Sequence, residues 1–237
     1  MELYTGGTYT GILFFAVAAI ICAISLAHVI ACMLDNYVLR YATKPVLMPA
    51  LILLHLVMCG TAHPFVIAAL VFGWLGDVFL MLANKSKAFF MLGMAAFLLG
   101  HISYVASAIS AGLPASALAR PHAAPALAAI CVFMLAGCCG VYAFLYKSIF
   151  KKLRIPCAVY VAAIGGMACT MLCGFFGRRD IASAYTAVGG VLFIISDFLL
   201  ACRMFRKTKR RSSTVNAAVM ATYILAQLCI SLGFASL

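Results

Sequence analysis

The sequence predicts an all-α integral membrane protein, a bundle of eight transmembrane helices that forms a single transmembrane domain over residues 1–237. Of its 237 residues, 67% are hydrophobic and only 9% are charged, whereas soluble domains have about half apolar and about a quarter charged residues. Apolar runs of about 20 residues recur along the chain, and a helix of about that length crosses the 30 Å hydrocarbon core of a bilayer. The predicted spans are residues 11–33, 45–62, 64–83, 88–111, 123–147, 155–177, 181–203 and 214–236.

The distribution of Lys and Arg supports a count of eight. Only His63 and Pro64 separate the second span from the third, so a sharp turn is required there. With eight spans, fourteen of the seventeen Lys and Arg fall in odd-numbered connections, and a count of seven would break this alternation. The positive-inside rule then predicts cytoplasmic odd-numbered connections and both termini outside the cytoplasm, in a bacterial cytoplasmic (inner) membrane.

A short similarity between two spans raises the question of an internal repeat. The run Leu75-Gly76-Asp77-Val78-Phe79-Leu80 in the third span resembles Ile195-Ser196-Asp197-Phe198-Leu199-Leu200 in the seventh. Spans four helices apart cross the membrane in the same direction, so a duplication would give two parallel four-helix repeats. Coincidence between two apolar helices explains the similarity equally well, and both interpretations stay open.

Composition and spacing argue against nucleic acid and against metal. The 17 Lys and Arg outnumber five Asp and Glu, but they lie at helix ends, where they orient the chain in the bilayer and do not form a nucleic-acid surface. Eleven cysteines are scattered without a Cys-x-x-Cys pair, which is typical of small packing residues. No His-x-x-x-His pair is present either, so we predict no metal site.

Two carboxylates, Asp77 and Asp197, are predicted to lie inside the membrane. An Asp near the middle of a membrane helix costs about 2.5–3.5 kcal/mol, which favours a functional role over a purely structural hydrogen bond. No predicted span contains a Lys or Arg in its interior, so nothing in the sequence neutralises them. Both lie about 10 Å below the cytoplasmic edge, from the rise per residue. Two carboxylates at one depth do not both ionise easily, so the pair is predicted to supply one acid and one base.

Polar side chains at helical spacing are the candidates for the rest of a site. His101 and Tyr104 share a face of the fourth span, and Tyr223 and Gln227 share a face of the eighth. They are predicted either to line a polar cavity or to bond helices to one another, and the pattern does not decide between these. His101 lies about 21 Å from the cytoplasmic edge, deeper than the carboxylates, so it is expected to orient water or the lipid chain. His28 and His55 have no polar neighbours at helical spacing and are predicted to be packing residues.

From Lys44 onward the chain resembles the YhhN-type lysoplasmalogenase family. The order and spacing of several short motifs carry this resemblance: Thr43-Lys44-Pro45, Gly76-Asp77, Phe90, Gly93, Phe97, Gly100-His101, Tyr104, Tyr160, the run from Gly190 to Asp197, Leu200-Ala201, Phe205 and the run from Tyr223 to Gln227. It implies hydrolysis of the vinyl-ether bond of a lysoplasmalogen, a lysophospholipid, to a fatty aldehyde and glycerophosphoethanolamine or glycerophosphocholine, without a cofactor. It also implies Asp77 and Asp197 as the catalytic pair.

Supporting roles follow from the same resemblance for Tyr160 and Ser196. Lys44, Lys85 and Lys87 are candidates to hold the phosphate, and a role in orienting the chain in the membrane also explains these lysines. A proton-coupled transporter of a lipid or small molecule is the main alternative, because intramembrane carboxylates and parallel repeats occur there too. A non-catalytic scaffold is a further alternative, but it would place two carboxylates in the membrane, at a cost in free energy, without a catalytic role for them. An intramembrane aspartyl protease does not fit, because its Gly-x-Gly-Asp and Tyr-Asp motifs are absent here: Leu75 and Gly76 precede Asp77, and Ser196 precedes Asp197.

Overall fold

The computed structural model describes residues 8–59, 63–121, 123–205 and 213–237. Within these ranges the regular structure is helical and contains no strand, and eight of the nine α-helices are long and apolar enough to cross a membrane. The helices are α1 (Thr8–Met33), α2 (Tyr37–Met58), α3 (Pro64–Met81), α4 (Lys87–Ser110), α5 (Leu113–Leu118), α6 (Ala123–Tyr146), α7 (Arg154–Arg178), α8 (Ile181–Phe205) and α9 (Ser213–Ala235), with a 3₁₀ turn at Lys151–Leu153. The all-α architecture with eight spans is confirmed.

The second span starts earlier than predicted. The Asn36 side chain accepts a hydrogen bond from the Leu39 amide at 3.1 Å and caps α2 one position before Tyr37. An Asn at this position satisfies an amide that has no partner within the helix. The helix therefore runs through Lys44, which the sequence had placed in the preceding connection. This boundary matters because it moves a lysine into a membrane-spanning helix.

Two prolines inside α2 fix its contact with α3. Pro49 has no amide hydrogen, so it cannot bond to the Pro45 carbonyl four residues earlier. The indole Nε1 of Trp74 on α3 donates to that carbonyl at 2.9 Å instead. The contact holds the part of α2 next to Lys44 beside the part of α3 that carries Asp77.

Parts of two predicted segments lie outside the described residues. These are residues 60–62, the end of the predicted second span, and residues 206–212 of the basic seventh connection. Pro64 takes the first position of α3, where a missing amide hydrogen is harmless. The fourth connection contains α5, a short helix that was not predicted; Gly112 precedes it with φ of +69°, and Arg120 after it donates to the Gly177 carbonyl of α7 at 2.6 Å.

Helix α9 lies at the centre of the bundle, and α6 lies at its edge. The most extensive helix pair is α8 with α9, and two glycines let these helices approach closely. A Cβ atom at Gly189 would come within 2.9 Å of the Ala226 carbonyl oxygen, and one at Gly233 within 2.8 Å of the Ala182 carbonyl oxygen. Small residues serve this purpose in membrane helix pairs, where close packing replaces the hydrophobic effect. By contrast, α6 packs mainly on α7.

Candidate active site

A polar cavity of about 170 Å³ lies at the end of the bundle that carries the odd-numbered connections. Both predicted carboxylates, Asp77 on α3 and Asp197 on α8, lie in its wall. Its lining also includes three cationic side chains, Arg40, Lys44 and Arg203. The fold therefore places two acidic side chains from distant parts of the sequence at one cavity with a basic rim.

Asp77 is held by an ion pair that the sequence did not predict. The Lys44 ammonium lies 3.0 Å from Asp77 Oδ1, and the two side chains are only 17% and 4% exposed. The Tyr223 hydroxyl of α9 donates to the other carboxylate oxygen at 3.0 Å. The expectation that nothing neutralises the carboxylates is wrong for Asp77, because α2 begins before Lys44 and carries its side chain inward.

A chain of buried hydrogen bonds extends from Asp77 into the bundle. Gln227 Nε2 donates to the Tyr223 oxygen at 3.5 Å, and the Tyr104 hydroxyl of α4 donates to Gln227 Oε1. Each donor in this chain points toward Asp77, which accepts at its end. The structure thus brings together Tyr104, Tyr223 and Gln227, and it places them behind the carboxylate, where they fix its orientation.

Asp197 has a different set of partners. The Tyr160 hydroxyl of α7 donates to Asp197 Oδ2, and His101 Nε2 of α4 lies 3.5 Å from the same oxygen. His101 Nε2 also lies 3.1 Å from the Tyr160 oxygen. His101 is 1% exposed, and its Nδ1 has no hydrogen-bond partner. A neutral imidazole with its proton on Nε2 fits these contacts, because the bare Nδ1 then buries no unpaired donor.

The predicted difference in depth does not keep His101 away from the carboxylates, because His101 Nε2 lies 3.5 Å from Asp197 Oδ2. Successive spans alternate in direction, so α4 and α8 are antiparallel. Side chains on a helix lean toward its own N-terminus. His101 and Asp197 consequently lean toward each other, and the difference in depth along the two helix axes is bridged by the side chains.

Aromatic rings pack between the two carboxylate groups. Phe193 contacts His101 edge to face at 4.8 Å between ring centroids, and it contacts Tyr223 in the same way at 5.5 Å. Phe97 packs edge to face on Tyr223 at 5.9 Å. Such contacts contribute about 0.5–1.5 kcal/mol each beyond burial. They hold the residues that bond to Asp77 and to Asp197 in one rigid arrangement.

A second cavity, apolar and about 720 Å³, lies between α4, α6, α7 and α8. Its lining is almost entirely aliphatic and aromatic, with the Tyr142, Tyr160 and Asp197 side chains as polar exceptions. Asp197 belongs to the lining of both cavities, as do Leu80 and Phe97. Phe133, which is 71% exposed, is also in this lining, so the apolar cavity reaches the lipid-facing surface.

The sequence profile of the YhhN family matches residues 39–234. The chain belongs to the YhhN family. This match covers α2 to α9 and both carboxylates.

Two curated relatives agree with this assignment. They are proteins from Mycobacterium bovis and Mycobacterium tuberculosis, each named lysoplasmalogenase and each 28% identical over 188 residues. The aligned region covers 76% of this chain and 66% of each relative, so the chain spans about two thirds of their length. No solved structure gives a significant match.

Helix α1 lies outside the YhhN-family match, yet it contributes His28 to the polar cavity. His28 Nδ1 lies 2.7 Å from the Thr43 hydroxyl of α2, next to Lys44. His55 Nδ1 likewise lies 3.1 Å from the Ser231 hydroxyl of α9. Both histidines are buried, as packing residues are, but each has a polar partner on another helix, which spacing along one helix does not reveal.

Ser196 is buried beside Asp197, and its hydroxyl donates to the Val219 carbonyl of α9 at 3.0 Å. This bond ties α8 to α9 at the level of the carboxylate. Arg40 and Arg203 were assigned to the connections from the sequence alone. Arg40 precedes Lys44 by four residues and shares a face of α2 with it, whereas Arg203 reaches the cavity rim from α8.

Proposed function

We propose that this protein is a lysoplasmalogenase: it hydrolyses the vinyl-ether bond of a lysoplasmalogen to a fatty aldehyde and glycerophosphoethanolamine or glycerophosphocholine. Membership of the YhhN family and the name lysoplasmalogenase of the two mycobacterial relatives support this activity. The structural observation that carries the proposal is the position of Asp197 in the wall shared by a polar and an apolar cavity.

A single-chain lipid fits these two cavities. The apolar cavity of about 720 Å³ has the size and the lining of a site for a ligand of several hundred daltons, and it would hold the alkenyl chain. The phosphate would lie in the polar cavity beside Arg40, Lys44 and Arg203, because guanidinium and ammonium groups bind phosphate oxygens with strong hydrogen bonds. The vinyl-ether bond, which joins chain to headgroup, then lies next to the carboxylates.

The chemistry needs a proton donor and a general base. A protonated Asp197 would transfer its proton to the vinyl carbon that is not bonded to oxygen, which leaves an oxocarbenium ion. Water adds to the carbon of that ion, as in glycoside hydrolysis. The resulting hemiacetal breaks its bond to the glycerol oxygen, which takes up a proton, and releases the aldehyde. Water is consumed and no cofactor takes part.

The contacts of the two carboxylates suggest their roles. Both Asp77 oxygens accept hydrogen bonds, one of them from the Lys44 cation, as an ionised carboxylate does. Asp77 is therefore proposed to stabilise the cation and accept the proton of the attacking water. Asp197 lies at the apolar cavity, where the vinyl group would bind, and Tyr160 and His101 orient it.

The location of the protein is part of the proposal. We place it as a single transmembrane domain in a bacterial cytoplasmic membrane, with both termini outside the cytoplasm. The charge asymmetry between odd-numbered and even-numbered connections supports this orientation. The site would then open at the cytoplasmic side of the bilayer.

The test is aldehyde release from a lysoplasmalogen by the purified protein in detergent, with an ester lysophospholipid of equal chain length as the control substrate. Asp77→Asn and Asp197→Asn should each lower turnover at least about a hundredfold, the low end for the loss of an acid–base group. Activity against pH should be bell-shaped and should report the coupled pair. Near-normal aldehyde release by both folded variants would show that the aspartates are structural.

A further inference from the structure

Three cysteine thiols converge between α6 and α7, outside the lining of both cavities. They are Cys131 on α6 and Cys169 and Cys173 on α7, and their sulfur atoms all lie within 4.8 Å of one another. The sulfur atoms of Cys131 and Cys169 are 3.6 Å apart. Cys169 and Cys173 are four residues apart and therefore share one face of α7. The sequence predicted separate packing roles for these cysteines, and the fold brings them together.

The spacing of the three sulfur atoms suits one metal ion in a trigonal site. Metal–sulfur bonds of about 2.3 Å arranged in a plane require sulfur atoms about 4.0 Å apart. No fourth histidine, cysteine or carboxylate joins the group in the part of the chain that the structure describes. Structural zinc sites and iron–sulfur clusters use four protein ligands. Three soft ligands without a fourth favour the cuprous ion, which thiol sulfur selects.

We infer that Cys131, Cys169 and Cys173 form a binding site for a cuprous ion. Each sulfur atom that ligates the ion does so as a thiolate, so binding releases the three thiol protons to water, and the complex with the singly charged ion has a net charge of −2.

The three cysteines lie on the outer helix α6 and near the end of α7. Cys173 is five residues from the end of α7 at Arg178, about 8 Å along the helix, and Cys131 is exposed. Among the residues of α6 that the structure describes, only Ala123 and Leu145 are buried. An ion shared by α6 and α7 would therefore join the least buried spanning helix to the rest of the bundle.

The experiment uses the reduced full-length protein in detergent under anaerobic conditions, titrated with cuprous ion against bicinchoninate as a competing chelator. We expect one ion per chain, and Cys131→Ala should weaken binding at least about tenfold. Because Cys131 is exposed, this substitution leaves the fold intact. Cys139→Ala is the matched control, since Cys139 is also exposed on α6 but lies outside the group, and it should bind as the unaltered protein does.

A second measurement follows thermal unfolding. The cuprous ion should raise the melting temperature of the unaltered protein and of the Cys139→Ala variant, but not of Cys131→Ala. X-ray absorption should show three sulfur ligands. Equal affinity in the Cys131→Ala and Cys139→Ala variants, or a site with two sulfur ligands, would overturn the inference. None of these measurements depends on the proposed hydrolase activity.

Discussion

Removing the Lys44 ammonium should destabilise the protein through Asp77. Unit charges 3.0 Å apart attract by about 5.5 kcal/mol at an effective dielectric constant of about 20. Breaking a buried pair by removing one partner typically costs about 3–5 kcal/mol, because the remaining charge stays buried. Lys44→Met should therefore lower the free energy of unfolding by about 3 kcal/mol, at the lower end because Lys44 is 17% exposed.

Removing the charge of the other partner, Asp77, should lower the free energy of unfolding by less. In Asp77→Asn the amide oxygen still accepts from Tyr223, and the Lys44 side chain can extend toward water in the polar cavity. We expect a loss of about 1 kcal/mol, in the range for one hydrogen bond. The double variant removes both charges, so its loss should be about 2 kcal/mol smaller than the sum of the two single losses, a coupling typical of residues in direct contact.

The assay is unfolding of each variant by sodium dodecyl sulfate in mixed micelles. The single tryptophan, Trp74, is a suitable fluorescent probe because its indole bonds to Pro45 beside Lys44. Lys85→Met is the control, since Lys85 is an exposed lysine in the loop after α3, and it should change stability little. Strictly additive losses in Lys44→Met and Asp77→Asn would refute the ion pair as a stabilising contact.

Four further outcomes test the orientation in the membrane, the role of His101, the packing of α8 on α9 and the pKa of Asp180. A reporter fused after the last residue should be inactive if it works only in the cytoplasm; activity there would contradict the proposed orientation. His101→Asn should lower turnover by less than about a hundredfold, since His101 orients the acid and is not itself the proton donor; a loss as large as that of the aspartate variants would contradict this role. Gly189→Leu should separate α8 from α9, because its Cβ would lie 2.9 Å from the Ala226 carbonyl oxygen; the melting temperature should fall, and an unchanged value would contradict the close packing. Partial burial alone would raise the pKa of Asp180 in the α7–α8 turn, but hydrogen bonds from Ser183 and Arg178 lower it. The capping bond to the Ser183 amide should therefore persist below the ordinary pKa of 3.8 and be lost only as the pH falls through the lower folded value; loss already at pH 3.8, seen by amide hydrogen exchange, would show that the pKa is not lowered.

The sequence by itself determined the class of structure and the number of spans. Hydropathy alone marks each span, because every residue of a membrane helix must tolerate hydrocarbon whatever its neighbours are. The alternation of basic connections then decided between seven and eight spans without any tertiary information. The two intramembrane aspartates were visible for the same reason, since a carboxylate in an apolar run stands out in a single sequence.

Helix boundaries near charged residues were less predictable. Hydropathy predicts that the first connection ends at Lys44 and that the second span begins at residue 45. In the structure Asn36 caps α2, and the helix already includes Lys44. A lysine inside a span looks unfavourable until its partner is known. The partner, Asp77, comes from another helix, so the favourable ion pair is not encoded in the local pattern that hydropathy measures.

Only the tertiary structure decided which side chains meet. Periodicity shows that residues share a face of one helix, but it does not show which helix lies opposite that face or at what depth. The meeting of His101 with Asp197, and of Cys131 with Cys169, depends on packing between whole helices. That packing is set by many weak contacts and by small residues such as Gly189, and no single one of them specifies a neighbour.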